Sequence, residues 1–155
     1  FDAVRLGRRL IMDHPTQPRG NVRECASWRS CIMAVHRRHA GEKLGYGGVY
    51  TLDHDADVAI VGVGYGDGLY LPLVEMHGDI LVRGERRPLL ACCMDQCFVD
   101  VTGVEDAKVG DEITFFGYDS VGNFLSSQET ANLIGDDEGC GLTSALMHRV
   151  ARVFH

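Results

Sequence analysis

The chain has 155 residues, the size of a single domain that can bury its own core. Its formal net charge of -7 argues against a nucleic-acid partner, because such partners bind basic surfaces. The one basic segment, 29–38, is interpreted as the solvated face of a strand. No apolar run approaches the roughly 20 residues of a membrane-spanning helix, and we predict no direct membrane contact.

The first residues predict a boundary between two units. The apolar stretch Val4–Leu6 is typical of a strand, and residues 12–24 have the proline, glycine and asparagine content of a linker. Because the chain opens without methionine, on an element already under way, we expect it to be part of a longer chain. Residues 1–11 are then the end of a preceding domain, and 25–155 form a domain of their own.

From residue 25 onward the pattern predicts many short strands and little helix. Residues 69–74 are expected to be irregular or at a sheet edge, because Pro72 interrupts them. A helix is predicted over Gln128–Ile134, with Ser126 and Glu129 at capping-box spacing, and a second over Leu142–Met147. This pattern is typical of a β-barrel or sandwich, and we predict a mainly β, compact Greek-key-like barrel with one or two short helices. The predicted strands are 28–38, 58–61, 79–83, 88–92, 97–102, 112–116 and 150–154.

Three common kinds of site do not match the sequence. The cysteines of the segment 92–97 lack zinc-site spacing and are interpreted as buried free thiols. Glycines alternate through the segment 62–68 after a strand, but a dinucleotide fingerprint needs a different spacing and a following helix. We interpret them as places where the backbone turns or approaches another segment closely, with Asp67 stabilising the turn. No Gly-x-Ser-x-Gly motif is present, and the histidines have no local partner that suggests a catalytic triad.

Several distinctive motifs follow one another along the chain. They are Leu44-Gly45-Tyr46-Gly47, Val63-Gly64-Tyr65-Gly66-Asp67-Gly68, Met94-Asp95-Gln96, Val99-Asp100-Val101-Thr102, Val109-Gly110-Asp111-Glu112 and Arg149-Val150-Ala151-Arg152-Val153-Phe154. In this order they resemble the C-terminal β-domain of the alanine racemase family, the fold-type III enzymes that use pyridoxal 5'-phosphate (PLP), and the resemblance covers residues 1 to 154. In that family a PLP-binding barrel precedes this domain, so the resemblance implies that residues 1–11 correspond to its last strand.

The resemblance implies a catalytic role for Tyr46 and substrate-binding roles for three other residues. Tyr46 matches the tyrosine that exchanges the α-proton of the amino acid, reaching the active site of the other subunit of a homodimer. An unassisted phenol has a pKa of about 10, so a tyrosine base needs neighbours that help it. Tyr65 matches a tyrosine beside the substrate entrance. Met94 matches the residue whose backbone N–H helps to hold the substrate carboxylate, with Asp95 next to it. The alternative for Tyr46 is an aromatic residue that lines the barrel.

The cofactor-binding residues implied by the resemblance are Arg5 and His148. Arg5 matches the arginine that faces the pyridine nitrogen of PLP and weakens its electron withdrawal. His148 stands where the family has a tyrosine that binds the phosphate, a position tied to substrate choice in serine-preferring relatives. Leu71 and Ala91 stand where arginines of the substrate corridor are common, so the entrance is expected to be less cationic.

The sequence lacks a match for one essential residue of the family. The cofactor-binding lysine lies at the start of the barrel, and the two lysines here, Lys43 and Lys108, are in no matching motif. The leading hypothesis is therefore the C-terminal domain of a cytoplasmic PLP-dependent racemase for alanine or serine, inactive in isolation, whose parent chain is either free or tethered to a membrane. The alternative is a non-catalytic β-domain for dimerisation or regulation, in which His148, Leu71 and Ala91 mark a degraded site.

Overall fold

The computed structural model describes Ala3, residues 24–136 and residues 140–154. The predicted strand Val4–Leu6, the predicted linker up to residue 23 and the predicted cofactor residue Arg5 lie outside the described residues. Within them, the strands are β1 (Trp28–Arg38), β2 (Lys43–Leu44), β3 (Tyr50–Thr51), β4 (Ala56–Val61), β5 (Asp79–Val82), β6 (Glu85–Cys92), β7 (Cys97–Asp100), β8 (Glu112–Tyr118) and β9 (Phe124–Leu125). The α-helices in this part of the chain are α1 (Leu71–Glu75), α2 (Ser127–Leu133) and α3 (Cys140–Ser144).

Six antiparallel strands form a ring in the order β1-β4-β7-β6-β5-β8, and β8 pairs again with β1. Strands β5, β6 and β7 form a meander. Its last strand, β7, lies beside β4, the strand that precedes the meander in the chain, which is Greek-key connectivity. Strand β9 adds to β8, while β2 and β3 form a separate two-stranded hairpin. The predicted fold class, a mainly β barrel-like domain, is confirmed.

Neighbouring residues of the ring strands point to opposite sides, as the two-residue period of a strand requires. Ala59 of β4 and Leu89 of β6 belong to the core inside the ring, with Trp28, Ile80 and Phe115 among its other members. We call this apolar group the ring core. Val58, which precedes Ala59, and Leu90, which follows Leu89, pack instead on the outside of the ring. That group, which we call the outer cluster, consists of Leu44, Leu52, Ala56, Val58, Leu90 and Ala91, with Tyr50 and Phe98 against it.

The arginines of the basic segment 29–38 face carboxylates on neighbouring elements. Arg29 lies 3.3 Å from Glu112 of β8, and Arg37 lies 3.4 Å from Asp57 of β4. Arg38 pairs at 3.3 Å with Glu42 in the turn that follows β1. Exposed pairs of this kind add little stability, but they neutralise the segment, which agrees with its interpretation as a solvated strand face.

Two local predictions are wrong. Residues 150–154 form no strand; Val153 and Phe154 are exposed there, and no neighbouring strand in the described chain pairs with them. Residues Leu71–Glu75 form a helix rather than an irregular segment, because Pro72 lies in its first turn. At that position proline has no helical hydrogen bond to lose, and its fixed φ suits the helix. The described residues therefore contain three short α-helices, where one or two were predicted.

The predicted helix over Gln128–Ile134 is confirmed to within one residue as α2. Ser126 is its N-cap, and the Ser126 hydroxyl accepts a hydrogen bond from the Glu129 N–H at 3.3 Å. Glu129 also receives two hydrogen bonds from the Arg86 guanidinium, at 2.6 and 2.8 Å, which attach the helix to β6. None of the helices within 24–136 and 140–154 has the length and hydrophobicity that crossing a membrane requires.

The carboxyl group of Glu24 predicts how the stability of the domain depends on pH. It is buried, and burial raises the pKa of Glu24 above its usual value, an effect that hydrogen bonds from Ser127 only partly oppose. The ionised form of Glu24 is therefore destabilising. The free energy of unfolding should fall as pH rises past the unfolded pKa and through the folded pKa of this group. We expect Glu24→Gln to be stabilising at about pH 7 and neutral at about pH 4, measured by urea unfolding.

Glu129→Gln is the matched control, with the opposite sign. The hydrogen bonds from Arg86 lower the pKa of Glu129, so its ionised form is the stabilising one. That contribution is present above the unfolded pKa and is lost as pH falls through the folded pKa. Glu129→Gln should therefore lose stability at about pH 7. A gain in both variants, or in neither, would contradict the assignment of Glu24 as a destabilising buried carboxylate.

Candidate functional site

Tyr46 lies at the tip of the hairpin formed by β2 and β3, which we call the arm (residues 43–51). The tip is a 3₁₀ turn over Tyr46–Gly48, flanked by Gly45 at φ 76°. The Tyr46 side chain is 74% exposed, so it does not line the barrel. The glycines on both sides allow a tight turn that holds the phenol away from the ring.

The arm is attached to the ring by packing on the outer cluster. Leu44 and Leu52, on either side of the tip, are both buried there, and each contributes about 2 kcal/mol by leaving water. A Cβ at Gly45 would lie 3.5 Å from the Cβ of Ala91 on β6. The arm therefore starts beside the strand that leads, three residues later, to Met94.

Tyr65 lies in a second 3₁₀ turn, Tyr65–Asp67, in the segment that follows β4. The Tyr65 N–H donates to the Cys93 carbonyl at 3.1 Å, and the Gly66 N–H donates to the Met94 carbonyl at 2.7 Å. The backbone of the turn is thus bonded to the loop that joins β6 to β7. Met94 and Asp95 are exposed on that loop, and the Tyr65 ring is also exposed.

Asp67 connects this turn to the C-terminal segment. Its Oδ2 accepts a hydrogen bond from the Gly64 N–H at 2.8 Å, which confirms the predicted turn-stabilising role. Its Oδ1 accepts one from Arg149 Nε, and its carbonyl accepts one from the Met147 N–H at 3.0 Å. The exposed residue His148 lies between these two anchors. The structure thus brings Tyr65, the 94–95 loop and His148 together around a single turn.

The structure separates the two positions at which arginines were expected. Leu71 is exposed in the first turn of α1, where it presents an apolar side chain to solvent. Ala91 is buried in the outer cluster, against the start of the arm. Its small side chain therefore allows Gly45 to approach β6, and it is not part of an exposed entrance in this domain.

A polar network lies at the base of the arm, and no motif of the sequence analysis included it. His54 has Nδ1 2.5 Å from Asp53 Oδ1 and Nε2 3.0 Å from Oδ2 of Asp100 on β7. These hydrogen bonds raise the pKa of the His54 ring, the one with Asp53 having the larger effect. Burial opposes ionisation of Asp100, but hydrogen bonds from Thr102 and His54 outweigh it and lower the pKa of Asp100. His54 and Asp100 are 46 residues apart.

Together these features define a mainly β domain that presents a tyrosine arm, a polar loop and a histidine on its outside. The chain belongs to the alanine racemase family: the model of the family "Alanine racemase, C-terminal domain" matches residues 25–154. That match confirms the family resemblance carried by the motifs.

Relatives and solved structures agree with this assignment. The chain is 39% identical to the alanine racemase of Deinococcus deserti over 81% of its own length and 34% of the relative. It is 34% identical to a broad specificity amino-acid racemase of Pseudomonas putida, over 83% of the chain and 31% of that protein. The biosynthetic alanine racemase of Pseudomonas aeruginosa superposes with a TM-score of 0.73 at 27% identity, covering 86% of this chain and 36% of that one. The chain thus spans about a third of the length of these relatives.

Proposed function

We propose that the chain is the C-terminal part of a PLP-dependent amino-acid racemase that interconverts the L and D forms of alanine or serine. The exposed Tyr46 on its glycine-rich arm is the observation that carries this proposal. A phenol held away from its own domain is suited to enter a site on another surface, here the active site of a second subunit. In this proposal residues 1–11 end the preceding barrel, 12–24 are the linker, and 25–155 are the domain.

In the proposed reaction, Tyr46 moves a proton at its phenol oxygen. As phenolate it takes the α-proton from one face of the amino acid, and as phenol it returns a proton to that face. PLP, when bound, withdraws electrons from the substrate and so acidifies its α-carbon. Met94 and Asp95 lie on the loop that would receive the substrate carboxylate, and Tyr65 forms the adjacent wall. The hydrogen bonds between the 65–67 turn and this loop fix their relative positions.

The residues present fit a phosphate-bearing cofactor through His148. It is an exposed imidazole on a segment anchored at both neighbours, and an imidazole N–H donates readily to phosphate. The adjacent Arg149 guanidinium is held by Asp67, so His148 is the donor that this segment offers outward. Arg5 is the residue that we assign to the pyridine nitrogen, on the resemblance alone. The barrel of the parent enzyme would hold the remainder of the cofactor.

The isolated chain should not racemise amino acids, whereas the parent polypeptide should. Lys43 and Lys108 are the only lysines of the sequence, and neither lies in a matching cofactor motif. We expect no absorbance of lysine-bound PLP and no turnover of L-alanine or L-serine by the chain alone. The parent polypeptide should show both, with D-amino acid formation measured by chiral chromatography.

This experiment also separates the proposal from its alternative. Leu71 and His148 depart from the family pattern, which favours a non-catalytic domain for dimerisation or regulation as the second candidate. A parent polypeptide that binds PLP yet racemises neither alanine nor serine would support that candidate. A parent without a PLP-binding barrel would rule out the racemase. Activity of the isolated chain would show that the barrel lysine is not required.

A further inference from the structure

We propose that His54 is a positioning residue for the proposed base Tyr46, because it fastens the base of the arm to the ring through Asp100. This inference rests on the proposed function for its catalytic meaning. The connection itself is a property of the domain. It consists of the two hydrogen bonds of the His54 ring, one to Asp53 in its own loop and one to Asp100 on β7. We call the hydrogen bond between His54 and Asp100 the tie.

Side-chain contacts matter for the position of the arm because its strands form no backbone hydrogen-bond ladder with the described strands of the ring. Strands β2 and β3 pair only with each other in the described sheets, through two residue pairs. At the base of the arm, the Gly41 N–H donates to the Leu52 carbonyl at 2.7 Å, and the Leu52 N–H donates to the Glu42 carbonyl at 2.9 Å. These bonds close the arm on itself. Besides apolar packing and the exposed ion pair between Arg38 of β1 and Glu42, His54 links this end of the arm to a second ring strand, β7, through a carboxylate that is itself buried.

Asp100 is a fixed anchor for this tie. Its side chain is 8% exposed, and its Oδ1 accepts a hydrogen bond from the Thr102 N–H at 2.8 Å. Arg87 of β6 lies 3.7 Å from the same oxygen and also donates to the Asp100 carbonyl at 2.9 Å. The second oxygen, Oδ2, is the one that His54 Nε2 approaches. His54, half exposed, is therefore the partner that moves when the tie opens.

The tie depends on the charge of His54. A neutral imidazole has one N–H, whereas the imidazolium has two and donates to both carboxylates at once. The charged or titratable groups around His54 are Asp53 on its own loop, Asp100 on β7, Arg87 on β6 next to Asp100, and Tyr50 on β3, whose pKa is raised by burial and then by Asp53 and Asp100. The carboxylates prevail, and the pKa of His54 is raised.

The sign of the pH dependence follows from this shift. Because the folded pKa lies above the unfolded one, the contribution of His54 is fully present below the unfolded pKa. It is lost as pH rises through the folded pKa, when one of the two hydrogen bonds disappears. The arm should therefore be held most firmly in mildly acidic solution and should loosen at alkaline pH.

Amide hydrogen exchange on the 155-residue chain tests the tie without any assumption about activity. In the wild type, protection factors of residues 43–51 should fall about two- to fivefold between about pH 6 and about pH 9, the range expected for one exposed charged pair. His54→Gln keeps one donor but no charge, so its protection should be low and independent of pH. His36→Gln, which changes an exposed histidine on β1, should behave as the wild type. A pH step that survives in His54→Gln would overturn the proposal.

Kinetics of the parent racemase test the positioning role. His54→Gln should lower kcat about two- to fivefold with little change in KM at about pH 6. The difference from the wild type should shrink as pH rises through the folded pKa of His54, because the wild type then loses its imidazolium as well. An equal loss of activity at every pH would indicate general destabilisation and contradict positioning. If the parent has no racemase activity, the proposed function fails, while the exchange experiment still decides whether the tie exists.

Discussion

Replacing Tyr46 by phenylalanine in the proposed parent racemase is expected to lower kcat for racemisation by about 10²- to 10⁴-fold, the range typical for loss of a general base. The change removes one oxygen atom from an exposed side chain, so folding and arm geometry should be unaffected. The PLP absorbance spectrum should also be unchanged, because the cofactor residues are intact. Turnover is measured by chiral chromatography and cofactor binding by absorbance.

Tyr118→Phe is the matched control for this experiment. Tyr118 is also an exposed tyrosine, at the end of β8, where its ring packs in a tilted arrangement against Phe124 with the ring centroids 4.6 Å apart. Loss of its hydroxyl should leave racemisation unchanged. If Tyr46→Phe turned over like the wild type, the assignment of Tyr46 as the base would be wrong.

A second large effect is expected at Gly64, on stability. A Cβ there would lie 2.5 Å from the Asp95 nitrogen and from the Met94 carbonyl carbon, and closer still to the Cys93 carbonyl oxygen. These are backbone atoms that a side-chain rotation cannot move aside. We therefore expect Gly64→Ala to reduce the free energy of unfolding by about 3 kcal/mol, at the upper end of overpacking effects. Thermal or urea unfolding of the chain measures this loss.

Gly62→Ala, two residues earlier, is the matched control for Gly64→Ala. A Cβ at Gly62 would meet the sulfur of Met33 at 3.1 Å, and this flexible, half-exposed side chain can turn away. The expected cost is below about 1 kcal/mol. Equal losses for the two variants would show that the close approach of the 93–95 loop is not what requires glycine at position 64.

Much of the fold was predictable because it depends on local patterns. The alternating and β-branched segments at β1, β4 and β8, and the capping pair Ser126 and Glu129, specify their own conformations. One of the two failures depends on distant partners and the other on the position of a proline within its helix. Residues 150–154 have a strand-like sequence but find no strand to pair with in the described chain. Pro72 argued against regular structure, although proline in the first turn favours a helix.

The candidate site could be proposed only through family resemblance. Composition and spacing alone did not distinguish Tyr46 from a barrel-lining residue, and its exposure became clear only with the arm. The contacts that organise the site join residues far apart in the chain. Asp67 binds Arg149 across 82 residues, and His54 meets Asp100 across 46. No local pattern in one sequence reveals such pairs, because each partner alone resembles an ordinary surface residue.

The double pairing of β1 has a consequence for how the chain folds during synthesis. Residues Ile32–Arg38 pair with β4, which follows soon after, but Trp28–Cys31 pair with β8, which emerges much later. Until β8 leaves the ribosome, that end of β1 is an open edge with unpaired backbone groups. A nearby nascent chain can supply β8 in its place, which would produce a domain-swapped pair. Closure of the ring is thus the step at which chain concentration competes with correct folding.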